Sequence, residues 1–201
     1  MTKGERTKKK LLEIAFEMFL SKGYEETSVD DILNEAQIAK GTYYYYFKSK
    51  EQMLEEVIGL MIDSEAESAE KIAASDMSAL EKIVGIITSF RPGQKEQPIG
   101  DLLNRPENLL MHKKIQQRLM EKMIPMLCGI AEDGIRNGIF NCDHVPERIK
   151  VILITGSALF DEGGYTAADT EVFIDLLEKM LGAEKGTMDI VRTLISAPAQ
   201  E

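Results

Sequence analysis

Between Ala39 and Phe47 the chain reads AKGTYYYYF, a stretch without a carboxylate that holds an ammonium at Lys40, a hydroxyl at Thr42 and phenols at Tyr43, Tyr44, Tyr45 and Tyr46. Groups of this kind donate hydrogen bonds to phosphate oxygens and touch base edges, so the chemistry they suggest is recognition of a nucleic acid. Gly41 lets backbone approach backbone, Lys40 can reach a guanine edge or a phosphate, and Thr42 can bond either and contact a thymine methyl. Four consecutive residues sweep about 300° of a helix, so the tyrosines cannot share one task. Tyr44 and Tyr46 are expected on the phosphate backbone and Tyr43 and Tyr45 at base edges, with Phe47 and Ile38 in the core. Lys50, in the first turn of a following helix, is expected to meet a phosphate there.

Other reactive residue types carry less. Cys142 and His144 flank Asp143 and can begin a metal site, with Cys128 as a redox partner, but a structural zinc site needs four ligands in recognisable spacing and the chain has only 2 His and 2 Cys. His112 beside Lys113 and Lys114 has no nucleophile motif, phosphate loop or zinc-hydrolase signature near it. No metal, cofactor or catalytic residue is expected, and the thiols read as reduced.

Helices must position these groups. Apolar residues recur at spacings of three and four along the chain, with no period-two strand, so the fold class is all-α. Leu11, Ile14, Ala15, Met18 and Phe19 make one face of a first helix that stops at Gly23. Thr27 or Ser28 can cap a second helix carrying Val29, Ile32 and Leu33, with Asp30 and Asp31 in its first turn. The tyrosines form a third short helix. Ser49 with Gln52, and Ser78 with Glu81, are capping boxes for a fourth and a fifth. Arg91 to Gly100 reads as a loop, Pro106 opens a longer helix that Pro125 should kink or divide, and two final helices run from Glu147 to about Gly163 and from Asp169 to about Leu181.

A net charge of -10 in 201 residues argues against a polyanionic partner, but the charge is uneven. Met1 to Lys50 holds nine basic and eight acidic residues and stands at +1, which leaves -11 for the rest. Lys3, Arg6, Lys8, Lys9 and Lys10 crowd the amino end, where a solvated tail is the default reading. No apolar run reaches the roughly 18 residues of a membrane span, and no secretory signal is present, so a cytoplasmic protein is expected.

In register, Gly23, Thr27, Ile32, Gly41, Thr42, Tyr43, Tyr44, Tyr45, Tyr46, Phe47, Lys50, Glu51 and Leu54 resemble the amino-terminal pattern of TetR-family transcriptional regulators. The resemblance covers about 50 residues. Two positions depart from it: Gln37 stands where the family usually has Gly at the turn, and Ala39 where it has Ser ahead of the reading helix. It implies a helix-turn-helix DNA-binding domain of three helices at 1–48 and a helical effector-binding and dimerisation domain at 49–201. The DNA contacts it implies are Thr27, Ser28, Lys40, Gly41, Thr42, the four tyrosines and Lys50.

The same resemblance implies a ligand-responsive regulator, most simply a homodimeric repressor that leaves double-stranded operator DNA when a small apolar or cationic molecule binds. Met61, Phe90, Leu110, Met111, Met123, Leu127 and Phe160 are the candidate effector contacts. Ile152, Gly156, Leu159, Val172, Phe173, Leu176 and Met180 are the candidate dimer contacts, although periodicity alone equally allows both stripes to face their own core. The alternative function is an acidic helical module that engages a protein partner.

Overall fold

The computed structural model describes residues 2–91, 96–160 and 165–195, and among these no strand occurs. Its helices are α1 (Lys3–Ser21), α2 (Val29–Ala36), α3 (Lys40–Tyr46), α4 (Lys50–Ala73), α5 (Ala79–Ser89), α6 (Gln97–Leu103), α7 (Leu109–Arg136), α8 (Val145–Phe160), α9 (Ala167–Leu181) and α10 (Arg192–Ile195). Short 3₁₀ turns at Pro106–Asn108 and Thr187–Val191 precede α7 and α10. The chain divides into two compact units, one of Met1–Ser64 with Pro92–Arg118, the other of Glu65–Arg91 with Leu119–Glu201. This division falls within α4 and is a different boundary from the one expected at residue 48.

In the first unit, local signals set the helix ends. Thr2 caps α1 in a box with Glu5, so the basic amino end is helical from Lys3, not a tail. The chain leaves α1 through Gly23, whose φ of +92° suits a residue without a Cβ. Ser28, not Thr27, caps α2, in a box with Asp31. Leu11, Leu12, Ala15 and Phe19 of α1 are buried with Ile32, Leu33 and Ala36 of α2, and each large apolar side chain so placed contributes about 1.5–3 kcal/mol. Polar ties add to this: Lys10 Nζ donates to the carbonyl of Ala36 at 3.2 Å and Lys22 pairs with Asp31 at 2.8 Å.

Two expectations about this unit change. The segment read as a loop to Gly100 becomes helical at Gln97, with Pro98 in the first turn and Ile99, Leu102 and Leu103 buried; Pro92 and Gly93 lie outside the described residues. Burial of that apolar triplet outweighs the turn propensity of Pro98 and Gly100. Then α7 begins after the 3₁₀ turn at Pro106 and continues unbroken through Pro125. Pro125 lies on the exposed side of α7 while Met123, Leu127 and Ile130 are buried, so the missing N–H falls where water can replace it.

In the second unit, capping boxes start α5 (Ser78 with Glu81) and α9 (Thr166 with Asp169), and Gly182 ends α9 in the left-handed region. A Cβ on Gly182 would meet the Asn141 carbonyl at 2.0 Å, so this helix end and the α7–α8 connection require glycine there. Helix α8 starts at Val145, two residues before the expected start; its expected end near Gly163 lies outside the described residues, and the described helix closes at Phe160. Beyond Leu181 the expected elements run out, yet Met188, Val191, Leu194 and Ile195 are buried. The buried carboxylate of Glu178 anchors this segment by accepting the N–H groups of Gly186 and Met188 at 2.7 and 3.1 Å.

Candidate nucleic-acid interface

Helices α2 and α3 are joined by a turn of Gln37, Ile38 and Ala39. Gln37 adopts φ 57°, ψ 45°, and its N–H bonds the carbonyls of Asn34 and Leu33. A left-handed conformation at a residue with a side chain costs about 1–2 kcal/mol, which is the strain that glycine would relieve. At Ala39 the backbone is in N-cap geometry but no side-chain bond caps α3. Both departures from the family pattern therefore sit at stress points of the turn.

The tyrosines divide. Tyr43 is fully buried, packed 5.5 Å from the Phe47 ring, and its hydroxyl donates to the carbonyl of Ser49 at 3.2 Å. It cannot reach a base edge, and the expectation that it does is corrected. Burial pushes its hydroxyl up to about 12, with smaller effects from Tyr44 and Glu51. The i to i+4 pair Tyr43 and Phe47 makes the inner face of α3, because the side chains one turn apart share a face. Tyr44 and Tyr45 lie outside, 52% and 81% exposed, and Tyr46 is half-buried with its ring edge-on to Tyr45 at 4.9 Å. None of these three hydroxyls is hydrogen-bonded among the described residues, so all can donate to a ligand.

Around α3 the remaining expected contacts separate in the same way. Gly41 and Ser28 are exposed and Thr42 is half-buried. Ser28 Oγ accepts the Asp31 N–H at 3.0 Å, and its hydroxyl is engaged with the Asp31 carboxylate in turn. Lys40 is exposed and makes only a loose surface pair with Asp30 at 3.4 Å. Thr27 is fully buried, its hydroxyl bonded to the carbonyl of Gly23 at 2.7 Å, and belongs to the α1–α2 corner instead of the interface.

Lys50 is committed elsewhere. Its Nζ donates to the carbonyls of Tyr24 at 2.7 Å and Glu25 at 3.4 Å, and lies 4.1 Å from the centroid of the Tyr24 ring, which in turn packs edge-on to Phe19. The expected phosphate contact is replaced by a strut that ties the start of α4 to the α1–α2 corner. At the same junction Gln52 donates its N–H to Ser49 Oγ while its side-chain oxygen accepts from the Lys48 N–H, one residue before the expected partner. Lys48 itself is exposed and has no side-chain partner among the described residues, a contact candidate that the family register passes over in favour of Lys50.

The expected effector residues are not gathered in one unit. Met61, Leu110 and Met111 belong to the first, Phe90, Met123, Leu127 and Phe160 to the second, and Leu110 is 78% exposed. Phe160 is engaged edge-on with Phe173 and Tyr165 at 5.1 and 4.9 Å. An open depression of about 260 Å³ lies on α8 and α9, lined by Thr155, Leu159, Val172, Phe173 and Leu176 among others, and by none of those seven.

Among the dimer candidates, Gly156 faces the Phe173 ring of its own chain, where a Cβ would come within 3.2 Å, so those two serve the α8–α9 contact inside the protomer. Val172 is 68% exposed, and Val151 and Ile154 of α8 are also exposed. Asp143 is held by Arg148 at 2.7 Å and its carboxyl kept below the usual range, and among the described residues no cluster of metal-binding side chains occurs. Burial pushes the Cys128 thiol up, with Glu132 and Glu147 adding to it.

Known proteins resemble this chain in sequence and in fold. Residues 11–57 match the model of bacterial regulatory proteins of the tetR family. The transcriptional repressor KstR2 of Mycolicibacterium smegmatis is 32% identical over 66% of this chain and 67% of its own. A fatty acid metabolism regulator protein of Bacillus subtilis is 31% identical over 64% of this chain and 68% of its own. The crystal structure of RolR with resorcinol has the same fold, at a TM-score of 0.67, 18% identity and coverage of 99% of this chain and 97% of the other. Among the described residues no helix is long and apolar enough to cross a membrane. A buried Tyr43–Phe47 face, an exposed Tyr44–Tyr45 face and these relatives together make the chain a member of the TetR family of DNA-binding transcriptional regulators.

Proposed function

We propose that this protein is a cytoplasmic, homodimeric repressor that leaves its operator when a small apolar or cationic molecule binds the helical part beyond the reading head. The observation that carries the DNA half is the two-faced α3: Tyr43 and Phe47 buried, Lys40 and Gly41 exposed, and Tyr44 and Tyr45 exposed with hydroxyls that have no partner among the described residues. Tyr45 and Thr42 read base edges in this proposal, Tyr44, Tyr46 and Ser28 hold phosphates, and Lys40 serves either. Two reading heads on a twofold axis match two half-sites about one helical turn or a multiple apart.

The dimer half is supported by Val151, Ile154 and Val172, exposed apolar side chains on α8 and α9, of which Val172 lines the open depression. For the effector, the support is chemical. The domain is rich in methionine, which suits a deformable apolar site, and one relative is by name a regulator of fatty acid metabolism. Release follows only if the effector binds the DNA-incompetent spacing of the heads better than the competent one.

A gel shift with the duplex upstream of the protein's own coding region, repeated with a panel of apolar and cationic compounds, tests both halves. Binding that a compound abolishes is expected. Absence of binding to that duplex and to duplexes from neighbouring operons would overturn the repressor reading, and binding that no compound alters, with no shift in melting temperature, would overturn the effector reading.

A further inference from the structure

Five basic residues open the chain, and three of them are already engaged. Lys8 pairs with Glu56 at 2.5 Å, Lys9 with Glu13 at 3.7 Å, and Lys10 donates to the Ala36 carbonyl. Lys3 and Arg6 are exposed and have no ion pair or side-chain hydrogen bond among the described residues. Both stand in the first two turns of α1, whose capping box holds them in a helix, so their charges are presented from a fixed base.

That part of α1 abuts the end of α3. A Cβ built on Gly4, between the two cations, would come within 3.3 Å of Tyr46 Oη, the hydroxyl left without a hydrogen bond. Lys48, two residues past Tyr46, is exposed and also has no side-chain partner among the described residues. Carboxylates nearby are occupied: Glu5 accepts the Thr2 N–H at 2.7 Å, and Glu51 is hydrogen-bonded to Ser49, which holds its carboxyl below the usual range. Lys3 beside Gly4 and Lys48 two residues past Tyr46 therefore bring charges without a partner among the described residues to the end of α3 that carries this hydroxyl, opposite Lys40, with Arg6 about one turn further along α1.

We infer that Lys3 and Arg6, with Tyr46 and Lys48, form a phosphate clamp for duplex DNA contributed jointly by α1 and the α3–α4 junction. This rests on the reading of α3 as the DNA-facing helix and extends it to residues outside the helix-turn-helix. Phosphates carry no sequence, so the clamp adds affinity equally to every duplex and orients α3 without choosing bases. Each phosphate neutralised releases counterions and steepens the salt dependence of binding.

The test compares the full-length protein with the double variant Lys3→Ala/Arg6→Ala by fluorescence anisotropy over a range of salt concentrations. Two probes are used, the duplex upstream of its own coding region and a scrambled duplex of equal length. Both are expected to bind more weakly by the same factor, with a logarithmic salt slope shallower by about 1.8 for two lost phosphate contacts. Melting temperature should not change, because neither side chain has a partner to lose. The exchange Lys3→Arg/Arg6→Lys should restore the slope. An unchanged slope in the double variant, or weakening confined to the upstream duplex, would overturn the clamp while leaving α3 as the reading helix. Failure of the unsubstituted protein to bind either probe would instead strike the DNA-binding reading itself.

Discussion

At the residue scale, four adjacent phenols have separate roles because helical rotation carries only one of them fully inward. Tyr43→Phe removes the bond to the Ser49 carbonyl and is expected to cost about 1 kcal/mol of stability while leaving operator preference intact. Tyr45→Ala should do the reverse, with an unchanged melting temperature and a changed preference in a competition assay against mutated duplexes. Lys50→Ala should cost about 2 kcal/mol, since an ammonium bonded to two carbonyls and seated on an aromatic face is lost. Its salt slope should equal that of the unsubstituted protein. A flattened slope with no loss of stability would return Lys50 to the phosphate-contact role read from its position. From the sequence, the family register favours Lys50 over Lys48; only the fold brings the Tyr24 carbonyl and ring to Lys50.

At the element scale, the turn between α2 and α3 is under stress. Gln37→Gly relieves the left-handed strain and Ala39→Ser supplies the missing cap, and the second change alone should stabilise the reading head by about 1 kcal/mol, measured by chemical denaturation. The capping box of α2 adds a pH dependence of definite sign. Asp31 is lowered from 3.8 to about 2, first by Lys22 and then by the Ser28 N–H and hydroxyl. A carboxylate held down in the folded state stabilises it above the ordinary aspartate range and loses that effect as pH falls through the lowered value. Melting temperatures should therefore carry a decline between about pH 4 and pH 2 that Asp31→Asn lacks. Further along, Gly182→Ala forces a Cβ against the Asn141 carbonyl and should unfold the end of α9 or prevent folding, read as loss of soluble protein.

On the scale of the whole molecule, the proposed dimer predicts that Val172→Glu, at a 68% exposed position on α9, halves the mass found at sedimentation equilibrium without lowering helix content. Losing the dimer should also remove operator binding, because one head alone forfeits the second half-site. The all-helical class, the caps of α2 and α5 and the family itself were legible in the chain, since a helix end depends on residues three or four apart and a family pattern on fixed spacing. Tertiary structure alone decided the rest. It buried Tyr43 and Thr27, turned Lys50 inward, made a helix of Gln97–Leu103 and anchored Thr187–Ile195 on Glu178. The contacts that turn Lys50 toward Tyr24 and tie Met188 to Glu178 span 26 and 10 residues, and no local period or propensity encodes such a contact. Spacing along the chain told which residues could meet DNA; packing told which of them still have a free hydroxyl or charge to do so.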